Sequence, residues 1–316
     1  MRNIVIAALL FVCSGLFASD LQLKFDQVLK PVVRVSTDYG SGSGTVIYSE
    51  DRDEEGEFRT FVITNHHVVA PAIHVVRKWD NALGKYVHYE KNDQVKVEIF
   101  SYLKDGKMVL PQPVQADIVA YNGDEDLAIL ELYNYPMQVL NTTTLLPEDQ
   151  SLHLFQEVYA VGASLGEDPF STRGEIADLE ELIEGKVYVM ATAQIIFGNS
   201  GGAIFVRGTD ENYYYVGVPS RIRVTRFGQA MTHMGYFIPP KRIRKFIKRH
   251  KLDFLLDSSK MPSECFKARE KMRNGAQNGD GQEPKDVGSS DQDTDDGIDA
   301  KEAWKTIMDI INPIHS

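Results

Sequence analysis

Cysteine is scarce in this sequence, which holds only Cys13 and Cys265 among 316 residues. A disulfide framework is excluded if an N-terminal leader is removed, because a single cysteine then remains. Basic charge is also in deficit, since 45 acidic residues outweigh 34 basic ones and give a net charge of −11. This balance argues against nucleic acid as a partner. Stability must therefore come from a hydrophobic core, for which a hydrophobic content of 43% is sufficient.

Long hydrophobic runs are missing as well. The longest apolar segment, Ile4 to Ala18, has 15 residues, fewer than the ~20 that a membrane-spanning helix needs. It follows Arg2 and ends in small residues, a pattern typical of a secretory signal peptide. We expect residues 1–18 to be a signal peptide that is cleaved after Ala18. The mature protein should then be secreted or periplasmic, with no stable insertion into a membrane.

Helical periodicity is nearly absent between residues 24 and 240. Short β-branched and aromatic runs, broken by Gly, Asn and Asp, occupy this part instead; examples are VVRV at 32–35, VKVEIF at 95–100, LAIL at 127–130 and VYAV at 158–161. Regularly spaced strands with turn residues between them predict an all-β sandwich or barrel. The stretch is too long for one small barrel and suits two.

The sequence after Pro239-Pro240 has a different character. Residues 241–250 show helical spacing, with Ile243, Phe246 and Ile247 on one face and basic residues largely on the other. We interpret them as a helix that closes the domain; binding of this basic helix to anionic lipid is the alternative. Residues 268–300 are acidic and lack aromatic residues, which predicts a disordered linker. A short helix is predicted over 301–313.

Three short motifs carry the residue types of nucleophilic catalysis: TNHHVV at 64–69, DEDLAIL at 124–130 and GNSGGAI at 198–204. A serine hydroxyl needs a base to remove its proton, and the base needs a carboxylate to orient it. Glycines around Ser200 allow a tight turn that points the amides of Gly198 and Ser200 at one spot, where negative charge develops. Each motif alone fits a simple turn, strand cap or structural histidine. Their combination, in the order His, Asp, Ser, predicts a catalytic site.

With these motifs the chain resembles trypsin-like serine proteases of the chymotrypsin fold, and most of all the HtrA/Deg-type group. The resemblance covers residues 30–250 and includes GSGTVI, VGASLG, STRGEIADLE and GYFIPPKRIRKFI. It implies two packed six-stranded β-barrels, at about 24–140 and 150–240, in a protease domain of residues 24–252. A closing helix and a disordered acidic tail would follow. HtrA/Deg proteins usually add a PDZ domain, for which the sequence after residue 250 is too short and too polar.

The resemblance also implies a role for each motif residue. His67 matches the catalytic base, Asp126 the carboxylate that orients it, and Ser200 the nucleophile. The backbone amides of Gly198 and Ser200 match the oxyanion hole, while the neighbouring His66 is expected to point elsewhere. The implied reaction is hydrolysis of polypeptide substrates without a cofactor. The motifs do not predict an oligomeric state.

The substrate pocket implied by the resemblance lies between two stretches, QIIF at 194–197 and VPS at 218–220. Its candidate substrate-binding residues are Gln194, Ile195, Val218, Pro219 and Ser220. Neither stretch has a carboxylate, so we expect a preference for an uncharged, small or medium apolar side chain; selection of a polar one by Gln194 is the alternative. The second stretch should also pair with the substrate backbone.

Two other functions stay open as alternatives. The first is calcium binding by DQDTDDGIDAKE at 291–302, which places carboxylates as an EF-hand does, at Asp291, Asp293, Asp295 and Glu302. Asp296 replaces the usual glycine there, and an acidic linker is the simpler interpretation. The second is a catalytically silent or latent binding or scaffold protein on the same fold. No metal is expected at His66, His67 and His74, which lack the spacing of metal ligands.

Overall fold

The computed structural model describes residues 20–51, 58–81, 84–103, 106–132 and 140–277. As predicted, this part of the chain is mostly β, and its strands form two closed six-stranded barrels. The strand order is β1-β2-β3-β8-β7-β6 in barrel one and β10-β11-β14-β13-β12-β9 in barrel two. The signal peptide predicted over residues 1–18 lies outside the described residues.

Barrel one is formed by strands that lie between residues 32 and 132. Its strands are β1 (Val32–Thr37), β2 (Gly40–Asp51), β3 (Phe58–Thr64), β6 (Val95–Ile99), β7 (Gln112–Asn122) and β8 (Leu127–Leu132). The alternation in β6 shows why these residues form strands: Val95, Val97 and Ile99 are buried, whereas Lys96 and Glu98 between them are less so. Successive side chains of a strand point to opposite faces, so the apolar set fills the barrel interior.

Barrel two is formed by strands that lie between residues 157 and 238. Its strands are β9 (Glu157–Gly162), β10 (Phe170–Ile183), β11 (Lys186–Ala191), β12 (Ala203–Arg207), β13 (Tyr213–Val224) and β14 (Ala230–Ile238). Neighbouring strands are antiparallel. Past Gly217, β13 is paired with β14 on one side and no longer with β12 on the other. Beyond this residue no described strand covers that edge of β13, although the Pro219 carbonyl accepts a hydrogen bond from Gly201 N.

A separate two-stranded hairpin leaves barrel one directly after the short helix α2 (His66–Val69) and the turn Ala70–Ala72. It consists of β4 (Ile73–Asp80) and β5 (Lys85–Asn92), which pair with each other along their whole length. Within the described part of the chain these two strands join neither barrel. The sequence analysis did not distinguish them from barrel strands.

Helices lie at both ends of the described chain. The first, α1, covers residues 20–29, and its last part, Phe25–Leu29, is π-helical. The closing helix α3 (Pro240–Arg249) agrees with the prediction of 241–250 within one residue. The last helix, α4 (Pro262–Gln277), was not predicted. No described helix is both long and apolar enough to cross a membrane.

Helix α4 corrects the predicted boundary of the acidic linker. Residues 268–277, assigned to the disordered segment 268–300, are helical. The physical reason is tertiary packing: the Phe266 ring stacks on Phe61 at 6.2 Å, and Arg269 donates a hydrogen bond to the Val119 carbonyl at 2.7 Å. Residues 278–300 of the linker and the predicted helix 301–313 lie outside the described residues.

The hydrophobic core has three parts, one inside each barrel and one that joins both barrels to the C-terminal helices. In the joint core, the Phe254 ring meets Tyr48 and Phe61 edge to face at centroid distances of 5.2 Å and 5.1 Å. Such pairs add stability beyond the area that they bury. The segment after α3 is therefore packed on barrel one, and the joint core also contains side chains of barrel two such as Phe205 and Tyr215.

Candidate active site

His67 lies in α2, directly after β3, and faces the carboxylate of Asp126. Its Nδ1 is 2.9 Å and 3.0 Å from the two carboxylate oxygens, and its backbone amide donates to Oδ1 at 3.1 Å. A carboxylate only accepts hydrogen bonds, so the proton of the neutral ring sits on Nδ1 and Nε2 carries the free lone pair. The His67 side chain is 36% exposed and that of Asp126 only 15%, so the ring is open to a ligand and the carboxylate is shielded.

Asp126 is held in a left-handed backbone conformation, with φ at +53°, which Asp tolerates better than most residues. Asn65 Nδ2 donates to its backbone carbonyl at 2.8 Å, and Ser220 Oγ donates to Oδ2 at 2.6 Å. Burial would raise the pKa of this carboxyl, but the charge of His67 and the hydrogen bonds from His67 and Ser220 outweigh burial and hold the pKa below its usual value. The carboxylate is therefore ionised at neutral pH.

The loop before Asp126 is anchored by the closing helix. Arg242 of α3 pairs with Glu125 through Nε and Oε2 at 2.8 Å, and its Nη2 donates to the Glu125 carbonyl at 3.1 Å. The guanidinium also lies over the Tyr188 ring, 4.8 Å from its centroid. Both partners of the ion pair are largely shielded from solvent. A residue of barrel one is thus positioned by a helix that follows barrel two.

Ser200 lies on a loop that packs between the two barrels. Its carbonyl accepts from Ser43 N at 2.7 Å, and the next amide, Gly201 N, donates to the Pro219 carbonyl at 3.1 Å. Gly201 has φ +84°, and a Cβ there would lie 2.1 Å from the Ser43 carbonyl oxygen, so only glycine fits. Because Ser220 beside Pro219 binds Asp126, these contacts bring the three motifs to one region. Among the hydrogen bonds of the described residues, none joins Ser200 to His67.

The backbone before Ser200 leaves two amide groups available. The Phe197 carbonyl accepts from Leu165 N at 2.8 Å. In a trans peptide the N–H points opposite to the carbonyl, so Gly198 N–H points away from Leu165. Neither Gly198 N nor Ser200 N donates to a backbone carbonyl of the described chain. Gly198 has φ +95°, a conformation that favours glycine.

Small polar side chains hold this loop in place, and the sequence analysis did not identify them. Ser43 Oγ donates to the Gly198 carbonyl at 2.6 Å and accepts from Ala163 N at 2.7 Å. Ser164 Oγ donates to Asn199 Oδ1 at 2.8 Å, and the same oxygen accepts from Ile196 N at 3.0 Å. Their only signal in the sequence is their place in the Gly- and Ser-rich stretches GSGTVI and VGASLG.

Arg34 of β1 links barrel one to the turn that carries Leu165. It pairs with Glu98 of β6 and donates a hydrogen bond to the Gly166 carbonyl. Burial would raise the pKa of Glu98, but Arg34 and Lys96 outweigh burial and lower it. Since Leu165 N holds the Phe197 carbonyl, Arg34 supports the loop before Ser200 from the other barrel.

The predicted substrate-binding residues fall into two groups. The side chains of Ile195 and Val218 are 2% and 0% exposed and belong to the core, so only their backbone groups can meet a substrate. Gln194 is exposed, and its carbonyl accepts from Thr172 Oγ1 at 2.7 Å. Pro219 is buried and bonds Gly201 as described above. The Ser220 side chain donates to Asp126, so the predicted contact of Ser220 with substrate would use its backbone groups.

His66 points away from Asp126, as the sequence predicted. Its ring stacks on Tyr121 with centroids 5.2 Å apart and 21° between the planes. Burial lowers the pKa of His66 against the opposing charge of Asp126. His74 contacts Asp93 at 2.7 Å. Among the described residues no group of three or more His, Cys, Asp or Glu side chains could hold a metal ion; the proposed calcium loop 291–302 lies outside them.

Comparison with known proteins agrees with this architecture. The fold is similar to that of the HtrA-type protease AlgW with a tripeptide, at 20% identity and a TM-score of 0.50, over 77% of this chain and 65% of that one. A serine-to-alanine variant of AlgW, also with a tripeptide, has the same identity and TM-score, over 76% and 64%. Deg5 matches at 21% identity and a TM-score of 0.49, over 75% and 93%.

The chain spans slightly less than two thirds of the length of the AlgW structures. Comparison with curated protein sequences gives no match. The model of the trypsin-like peptidase domain matches residues 42–211, which contain all three motifs. The chain therefore belongs to the trypsin-like peptidase family.

Proposed function

We propose that the protein is an exported serine endopeptidase in which Ser200 is the nucleophile, His67 the base and Asp126 the orienting carboxylate. The observation that supports this best is the contact of His67 Nδ1 with the Asp126 carboxylate, which leaves Nε2 free to accept a proton. The family model supports the same class of enzyme. The alternative of a silent or latent binding protein shares the fold but not this use of Nε2.

Each proposed step uses a group of this chain. Ser200 Oγ attacks the scissile carbonyl carbon and His67 Nε2 takes its proton, while the amides of Gly198 and Ser200 donate to the oxyanion. His67 then gives the proton to the leaving amine, and water attacks the acyl-enzyme to release the acid and restore Ser200. The serine–histidine hydrogen bond forms when substrate binds, as is common for such pairs.

Substrate binding is proposed to use the open edge of β13. Beyond Pro219, whose carbonyl accepts from Gly201 N, no described strand pairs with β13 on the side opposite β14, so an extended peptide can pair with it as an added strand. The exposed Gln194 lies on the segment before the nucleophile loop. With no carboxylate in either stretch, we propose an uncharged residue before the scissile bond.

The test compares the purified protein with four variants on unfolded casein. Ser200→Ala and His67→Ala should lose on the order of 10⁶-fold in kcat and Asp126→Asn about 10⁴-fold, as in other serine proteases. His66→Ala is the matched control and should keep activity, because that ring stacks on Tyr121. A fluorophosphonate should label all chains that keep an activated Ser200. Absence of both cleavage and labelling in the wild-type protein would favour the binding-protein alternative.

Export is proposed from the sequence of residues 1–18 alone. In a bacterial expression host, the N-terminus of the mature protein should begin near Ser19, and the protein should appear outside the cytoplasm. Replacing Leu9 by Arg interrupts the apolar run of the leader and should retain the protein in the cytoplasm. Equal export of the Leu9→Arg variant would contradict the signal-peptide assignment.

A further inference from the structure

The hairpin of β4 and β5 exposes several large apolar side chains to solvent. Its exposed residues include Val75, Trp79, Tyr86 and Tyr89, with between 43% and 65% of each residue accessible. A two-stranded hairpin is at best marginally stable alone, and no other strand of the described residues pairs with either of its outer edges. Exposed apolar residues beside a free edge mark a place where another chain binds.

On one side of the hairpin, two aromatic rings and a guanidinium group contact one another. Trp79 and Tyr86 are cross-strand partners, and their rings meet edge to face at 5.1 Å. The Arg77 guanidinium lies 4.1 Å from the centroid of the Tyr86 ring. We call Val75, Arg77, Trp79, Tyr86 and His88 the hairpin face, because side chains alternate along a strand and these five share one side. The Trp79 and Tyr86 rings therefore hold each other in place without a bound partner.

The hairpin face continues toward the proposed active site. Glu90, the cross-strand partner of Val75, lies on the same side and accepts a hydrogen bond from the Tyr121 hydroxyl. The Tyr121 ring in turn stacks on His66, the neighbour of His67 in the chain. The hairpin also begins close to His67 in the chain, since β4 starts at Ile73 directly after the turn Ala70–Ala72. A chain that lies on the hairpin face is therefore led toward the catalytic residues.

The charge of the hairpin indicates the chemistry of its partner. Residues 73–92 contain four basic residues against two acidic ones, in a protein with a net charge of −11. The basic ones are Arg77, on the hairpin face, and Lys78, Lys85 and Lys91, on the opposite side of the hairpin. One of the acidic residues, Glu90, is engaged by Tyr121. A local basic excess on an acidic protein attracts negatively charged partners and repels basic ones.

We propose that the β4–β5 hairpin holds unfolded acidic polypeptides for cleavage. The polypeptide adds a strand to a free hairpin edge and lays aromatic or aliphatic side chains on Trp79 and Tyr86. The acidic residues that alternate with these apolar ones along the added strand point to the opposite side, where they pair with Lys78, Lys85 and Lys91. This inference rests on the proposed endopeptidase function and names the substrate class of the same site.

Binding is measured first in the Ser200→Ala background, where cleavage cannot interfere. The probes are two fluorescein-labelled unstructured peptides of equal length, one acidic and containing Phe and Trp, the other with each Asp and Glu replaced by Lys. Fluorescence anisotropy should show binding of the acidic peptide only. Adding Trp79→Ser and Tyr86→Ser should weaken its binding at least tenfold, since buried aromatic anchors dominate such contacts. The control is Leu182→Ser with Val187→Ser, an exposed cross-strand apolar pair on another hairpin.

Kinetics then separate the hairpin from the active site. With Ser200 intact, the Trp79→Ser, Tyr86→Ser variant should raise KM for unfolded acidic protein about tenfold, with kcat unchanged. Its kcat/KM for a short reporter peptide and its rate of fluorophosphonate labelling should match the wild type. If the wild-type protein cleaves neither substrate, the proposed function is refuted. The anisotropy measurement of peptide binding still tests the hairpin in that case. Equal peptide binding and equal KM in the variant and the wild type would overturn the hairpin proposal. A variant that still binds the peptide but no longer self-associates would overturn it too, because the hairpin face would then bind a second copy of the chain.

Discussion

Arg34 offers the sharpest test of how the loop before Ser200 is held in place. The variant Arg34→Met removes the guanidinium and keeps most of the aliphatic stem. It breaks the ion pair with Glu98 and the hydrogen bond to the Gly166 carbonyl. The turn at Gly166 is then free to move, and with it Leu165 N, which holds the Phe197 carbonyl.

Two magnitudes follow from these contacts. Hydrogen bonds to charged groups contribute ~1.5–3 kcal/mol each, and Glu98 keeps a second partner in Lys96 at 3.1 Å. The Arg34 side chain is 18% exposed, so solvent screens little of its interaction. We expect Arg34→Met to lower the free energy of unfolding by about 2–4 kcal/mol. If the Gly198 amide leaves its position in part of the molecules, kcat falls between about tenfold and 10²-fold.

The assay measures urea unfolding and casein hydrolysis on the same preparations. Arg34→Lys should have an intermediate free energy of unfolding and an intermediate kcat. A lysine keeps the charge but lacks the planar guanidinium that bonds both Glu98 and the Gly166 carbonyl. The control is Arg173→Met, which removes an exposed ion pair with Glu157 and should change the unfolding free energy by less than about 1 kcal/mol. A folded Arg34→Met variant with unchanged kcat would refute the argument that barrel one supports the loop.

Three further predictions concern other parts of the molecule. Gly201→Ala should lower the melting temperature sharply or prevent folding, because the added Cβ meets backbone at 2.1 Å, whereas Gly185→Ala, with open space around it, should cost only about 1 kcal/mol. Phe254→Ala should lower the free energy of urea unfolding by about 3–5 kcal/mol; a loss below about 1 kcal/mol would mean that the joint core does not fix the barrels. Burial lowers the pKa of His66, so its share of stability is lost as pH falls below its unfolded pKa of about 6.5. His66→Phe, which keeps a ring on Tyr121, should therefore gain stability relative to wild type from about pH 8 to about pH 5, and parallel pH curves would contradict this.

Local patterns were sufficient for the barrels and for the three motifs. Alternation such as that of Val95, Val97 and Ile99 reports that a strand has one buried face, which is a local property. The same alternation occurs in the β4–β5 hairpin, where Val75, Arg77 and Trp79 share a side. Period two does not tell which strand pairs with which, so the hairpin was not separated from barrel one.

Contacts between distant segments could not be predicted from one sequence. Arg34 and Gly166 are 132 residues apart, and Ser43 and Gly198 are 155 apart, with no local signal that joins them. Helix α4 was assigned in part to a linker because its composition is polar. Its order depends on Phe266 packing in the joint core, a tertiary contact that overrides local propensity.

The proposed site is built from residues of both barrels and of the helix that follows them. This order along the chain determines when activity can appear during synthesis. Asp126 belongs to barrel one, but Ser220, which binds it, comes from barrel two, and Arg242, which binds the neighbouring Glu125, comes from the helix after barrel two. A ribosome that has translated only the first 200 residues has made the three proposed catalytic side chains but neither Ser220 nor Arg242. Under the proposed function, we expect proteolytic activity to arise only after α3 has left the ribosome and docked. The nascent chain would then be inactive for most of its synthesis.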